Sequence, residues 1–123
     1  MAIAACGGNK IDDKSAIMAI WQLHSIMVNG MEIGDGKGFL DFKKDGSVVS
    51  RTGPGLYDEG KYELNVEAKT MTLSQDTTKL VYEYSLSLDS LVMRSNEGGR
   101  TLVLRGHKVE KLPVDPENDV FKP

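Results

Sequence analysis

The fold class this chain predicts is all-β: an antiparallel up-and-down (meander) barrel of about eight short strands. Three observations carry that expectation. From Lys79 to Arg105 the large apolar residues Leu80, Tyr82, Tyr84, Leu86 and Leu88 alternate with Val81, Glu83, Ser85 and Ser87. Strict period-two alternation marks strands with one face in a core and one in water. Leu91 and Met93 resume it after Asp89-Ser90, and Leu102 and Leu104 resume it after Ser95-Asn96-Glu97-Gly98-Gly99, so this stretch holds three strands of a meander. Second, turn pairs that favour positive φ punctuate the chain, at Asn29-Gly30 and Asp45-Gly46. Third, no stretch reads as a crossover helix of a dozen residues, so parallel pairing is excluded. A sheet of this length curls and closes, which removes its edges. A two-sheet sandwich is the second choice.

In chain order, Ser15 to Ile20 supplies one helical turn, with Asp13 or Ser15 as its cap, too short to stand alone. Trp21 to Val28 is the first strand, with Trp21 and Leu23 on one face. Met31 to Lys37 reads as a long loop with Gly34 and Gly36. Phe39 to Lys43 is the second strand, Leu40 and Phe42 inward, and Lys44-Asp45-Gly46-Ser47 is the clearest hairpin turn. Ser47 to Thr52 returns as the third strand, broken by Gly53-Pro54-Gly55. Lys61 to Val66 is the fourth, with Tyr62, Leu64 and Val66 on one face. Thr70 to Ser74 is the fifth, and the meander completes eight. Three expected regions follow: residues 1–14 as a tether, 15–109 as the barrel, and 110–123, with three of the four prolines, as a strap or tail.

Composition sets bounds. One domain suits 123 residues, 40% of them hydrophobic and 27% charged. A net charge of −3 argues against a nucleic-acid partner, which calls for a basic patch. No apolar run approaches the roughly 20 residues of a membrane-spanning helix. A single cysteine, Cys6, excludes an internal disulfide and a multi-cysteine zinc site.

Ile3-Ala4-Ala5-Cys6 resembles the lipobox of bacterial lipoproteins, and Gly7, Gly8 and Asn9 resemble the flexible tether that follows it. The resemblance implies acylation of Cys6. The basic and apolar segments of a complete signal are not part of this pattern here, and they are expected upstream of Met1 in the full gene product. Lys10-Ile11-Asp12-Asp13 then reads as a charged spacer.

A tryptophan opening the first strand, Asn29-Gly30 closing it, an aromatic strand, Asp45-Gly46, Gly60-Lys61-Tyr62 and a closing Leu102-Val103-Leu104-Arg105 together resemble the small lipocalin-like lipoprotein domains common in Bacteroidetes. The likeness spans Trp21 to Arg105. It departs from the lipocalin pattern at Ala19, where a glycine is usual two residues before the tryptophan. The resemblance implies that Trp21 and Arg105 close the barrel by a cation–π contact. It also implies a lipid-anchored binding protein of the cell envelope, in the outer membrane or periplasm, with a small apolar molecule or an envelope protein as partner. The membrane is touched only through the anchor, and the chain is expected to act as a monomer without a cofactor.

The chemistry of a catalytic or metal centre is missing from the motifs. His24 and His107 lie far apart in sequence with no ligand-spaced acid or cysteine beside them, so they read as surface histidines. Asp35-Gly36-Lys37-Gly38 puts Lys37 and Phe39 where a calcium loop needs oxygens. Gly53-Pro54-Gly55 lacks the Lys-Ser/Thr of a phosphate loop, and no Gly-x-Ser-x-Gly elbow occurs. Asp58 and Glu59 read as turn residues. No enzyme is expected. The inward set is Trp21, Leu23, Leu40, Phe42, Tyr62, Leu64, Met71, Leu73, Leu80, Tyr82, Tyr84, Leu86, Leu91, Met93, Leu102 and Leu104. Such large side chains suit a filled interior, and the alternative function is then a structural or protein-interaction module with a packed core. If a cavity exists, Tyr62, Tyr82 and Tyr84 line it, and Met31, Ile33, Leu56 and Tyr57 form its open end.

Overall fold

A computed structural model of the protein describes residues 12–119. One short helix, α1 (Asp13–Ala16), precedes nine strands: β1 (Ile20–Val28), β2 (Met31–Ile33), β3 (Gly38–Phe42), β4 (Ser47–Gly53), β5 (Leu56–Asn65), β6 (Thr70–Gln75), β7 (Thr78–Leu86), β8 (Ser90–Glu97) and β9 (Arg100–Val109). Every neighbouring pair is antiparallel, in the order β2-β1-β3-β4-β5-β6-β7-β8-β9, and β9 returns to pair with β1. β1 and β3 to β9 therefore close an eight-stranded meander barrel, as the alternation predicts, and β2 is an extra strand on its rim.

Three boundaries differ from the sequence expectation. Met31 to Ile33 is not loop: it doubles back on Ile26 to Val28 as β2, because Asn29 and Gly30 both adopt positive φ and make a tight reversal. β5 begins at Leu56 rather than Lys61, since Gly53 still pairs with Leu56 and Pro54-Gly55 is a two-residue hairpin turn joining β4 to β5. The helical turn starts at Asp13, with Asp12 as its cap: the Asp12 carboxylate accepts from the Lys14 backbone N–H. Leu88 continues the apolar alternation in sequence but lies past the end of β7, largely exposed.

The core fills the barrel from one end. Ile17, Trp21, Leu23, Leu40, Phe42, Met71, Tyr82, Tyr84, Leu91 and Met93 are all buried in a single cluster. α1 lies at this base, where the Trp21 indole N–H donates to the Ile17 carbonyl at 3.0 Å. The hairpins β4–β5, β6–β7 and β8–β9 turn at the opposite end. No helix among the described residues is long and apolar enough to cross a membrane.

Candidate functional site

The base is closed by side chains and one buried carboxylate. Asp13 is buried, accepts from the Tyr84 hydroxyl at 2.7 Å, and accepts from the Lys69 ammonium at 2.7 Å. Burial, and then the bond to Asp13, push the Tyr84 hydroxyl well above the usual phenol range. The Lys69 ammonium also stands 5.8 Å from the centre of the Tyr84 ring. A charge taken out of water is tolerable only when paired and hydrogen-bonded, and both conditions hold here.

At the opposite end the inner face carries smaller and wetter residues. Alternation from the buried Val48, Met71 and Tyr82 directs Ser50, Leu73 and Leu80 to the same inner face. Leu73, Leu80 and Leu102 pack on the core yet remain only partly buried. Val48, Leu73 and Leu80 line a concavity of about 100 Å³, rimmed by Ser50, Asp58, Gln75 and Thr78. The Gln75 side-chain amide donates to the Asp58 carboxylate at 3.3 Å across this rim. Leu80 also lines a second hollow with Ser95 and Leu102.

Strand lengths open this end. β5 pairs with β6 only from Lys61 to Asn65, so its stretch from Leu56 to Gly60 runs on past the β6–β7 hairpin. At Gly60 a Cβ would come within 2.4 Å of the Ser74 carbonyl oxygen. Only glycine lets the two strands part at that point with their backbones still in contact.

The wall beside the mouth is braced from outside. Phe39, Arg51 and Tyr57 stand in register across β3, β4 and β5, on the face opposite Leu40 and Val48. Phe39 is buried although it lies outside the core cluster. What covers this row is polar chain. Arg51, fully buried, donates from Nη1 and Nη2 to the two Asp35 oxygens, both at 3.0 Å. It also donates from Nε and Nη2 to Asp119, the latter at 2.9 Å. The Tyr57 hydroxyl donates to Asp119 at 2.7 Å. Two bidentate forks on one guanidinium are the geometry for which arginine is suited and lysine is not. The Arg51 hydrogen bonds hold the Asp35 carboxyl down at about 2, and hold Asp119 lower still. The segment after β9 is thus an anchored strap as far as Asp119.

The residues assigned from sequence are divided among these regions. Met31, Ile33 and Leu56 are exposed, and Leu56 starts the overhanging part of β5. Tyr57 belongs to the outer brace. Tyr82 and Tyr84 are buried in the core, and the Tyr62 hydroxyl donates to the Lys43 carbonyl at 2.8 Å. None of the last three lines the concavity. The expected pairing of Trp21 with Arg105 does not occur. Trp21 is in register with Lys108 and Leu40, whereas Arg105 lies opposite Ser25 and reaches the Met27 sulfur at 4.0 Å. Alternation from the buried Leu104 turns Arg105 to the outer face, so α1 and Ile17, not Arg105, close the base. Cys6 lies outside the described residues.

Sequence reasoning missed Arg51, Asp35 and Asp119 as partners, and it read Leu73, Leu80 and Leu102 as core alone. A single arginine among strand residues carries no sequence signal of its own. A clue was the aromatic Phe39 at an outward position, which asks for a cover. Comparison of the chain with family models, curated proteins and solved structures gives no match.

Proposed function

We propose that this chain is a lipid-anchored, lipocalin-like barrel of the bacterial cell envelope that binds a small apolar molecule at the open end of its barrel. In this reading it acts as a monomer without a cofactor and without catalysis. The observation that carries the reading is the half-covered leucine surface of Leu73, Leu80 and Leu102 on the inner wall, rimmed by polar groups. Binding sites are typically concave and apolar with a few polar groups that orient the ligand. A volume of about 100 Å³ is smaller than the roughly 150 Å³ apolar cavity that accepts benzene. The ligand is therefore small, or inserts one end only.

Titration with an apolar fluorescent probe tests this. The folded protein should bind it saturably and melt at a higher temperature in its presence. Leu80→Glu, which sets a charge in the concavity, should weaken binding roughly tenfold or more. Absence of any shift far above micromolar probe would favour the other reading, a protein-interaction module with a filled core. That reading draws on the close packing of Trp21, Leu91 and Met93. The anchor is supported by Ile3-Ala4-Ala5-Cys6. Expressed from its full gene, the wild type should sediment with membranes and Cys6→Ser should not, since stable attachment needs more than one acyl chain. Equal partition of the two would remove the anchor and leave the barrel.

A further inference from the structure

The two histidines, 83 residues apart in sequence, stand side by side on the barrel's closing seam. His24 is on β1 and His107 on β9, and their Nδ1 atoms are 3.3 Å apart. The rings lie 29° from coplanar with centroids 5.4 Å apart. Both side chains are exposed. Two backbone features bring them together. The register passes from Leu23↔Gly106 directly to Ser25↔Arg105, so His24 is the extra residue of a β-bulge and has no partner on β9. A bulge re-aims a side chain, and this one puts His24 diagonally across from His107, which is in register with Gln22. Between them, at Gly106, a Cβ would meet the Gln22 carbonyl oxygen at 3.0 Å, so β1 and β9 approach closely there.

Two imidazole nitrogens at this separation need something between them. A shared proton serves as long as one ring stays neutral and offers its Nδ1 lone pair to the other ring's Nδ1–H. Water competes for such a bond at an exposed site, so its net contribution is small. A metal ion serves better. With metal–nitrogen bonds of about 2.0–2.1 Å, two ligands of a tetrahedral centre lie roughly 3.3–3.4 Å apart. The terminal torsion of histidine is broad, so both lone pairs can turn toward a common point.

We infer that His24 and His107 form a two-histidine site for a divalent late transition metal ion, binding copper(II) more tightly than zinc(II). Among the described residues no group of three or more His, Cys, Asp or Glu gathers here or elsewhere. The remaining coordination positions fall to water or to a donor from outside. An ion at this place ties the first barrel strand to the last. The inference is independent of the apolar site.

The experiment is a titration of the folded Cys6→Ser protein with copper(II), nickel(II) and zinc(II) chlorides, read by calorimetry and by melting temperature. The serine removes the lone thiol as a competing ligand. One equivalent should bind, with a rise in melting temperature that is larger for copper than for zinc. His24→Ala and His107→Ala should each weaken binding roughly tenfold or more. Without metal both variants should melt with the parent, because the rings are exposed. Electron paramagnetic resonance of the copper form should show coupling to two imidazole nitrogens, reduced to one in each variant. The assignment is overturned if no saturable equivalent binds up to millimolar metal, or if the double variant binds as the parent does.

Discussion

At the base of the barrel Ile17, Trp21 and Met71 are wholly buried, whereas toward the mouth Leu73, Leu80 and Leu102 keep part of their surface in water. Within β6 both conditions stand two residues apart, Met71 at 0% exposure and Leu73 only partly buried. The base is held from inside, by large side chains and by Asp13 beneath Tyr84. The mouth is held from outside, by Arg51 gripping the loop at Asp35 and the strap at Asp119. An end whose inner wall is only half-filled takes less of its stability from packing inside. The Arg51 ion pairs on the outer wall keep these strands in place while the inner leucines stay only partly covered.

Truncation at each end separates these two designs. Trp21→Ala removes the largest wholly buried side chain and strands the Ile17 carbonyl, so it should cost about 3–5 kcal/mol. Leu80→Ala, at a half-covered site, should cost about 1 kcal/mol while weakening the probe. Denaturant melts give both values. Equal losses would mean that the mouth is as tightly packed as the base, and the contrast between the ends would be void.

The same contrast governs what could be read in the sequence. Period-two alternation is a local signal, and it gave the barrel, the meander from Leu80 to Leu104 and most of the inward set. It could not tell a filled stretch of inner face from a half-filled one, because Met71 and Leu73 look alike in the pattern. That distinction depends on where β6 ends beside β5. The outer brace was hidden for a related reason. Arg51 reaches Asp119 across 68 positions, and no spacing rule covers such a pair. Trp21 and Arg105 were matched by family likeness, yet the antiparallel register puts Lys108, not Arg105, opposite the indole. His24 and His107 meet only because of a bulge, which alternation does not reveal.

The smallest predicted effect uses pH to loosen each end separately. Asp35 titrates at about 2 in the folded protein, held down first by its Arg51 hydrogen bonds and also by the Lys37 backbone N–H. An unfolded aspartate titrates near 3.9. A depressed carboxyl binds fewer protons folded than unfolded, so its contribution is complete above about pH 4 and is lost as pH falls toward 2. Asp119 is held down in the same direction, by Arg51, the Tyr57 hydroxyl and the Gly55 N–H, and gives way at lower pH. Asp35 is one-third exposed, so solvent screening keeps its share modest. The Tyr84 hydroxyl has the opposite sign. Burial and Asp13 raise it, so it holds its proton longer folded than unfolded, and its contribution fades as pH climbs past about 10. Acid should therefore slacken the Arg51 brace at the mouth, and alkali should loosen the Tyr84 bond at the base. Melting temperature from pH 5 to 2.5 should fall less steeply in Asp35→Asn than in the wild type, starting from a lower value. An equal fall in the two proteins would show that the bond between Asp35 and Arg51 carries none of the acid response, and the outside brace at the mouth would not hold.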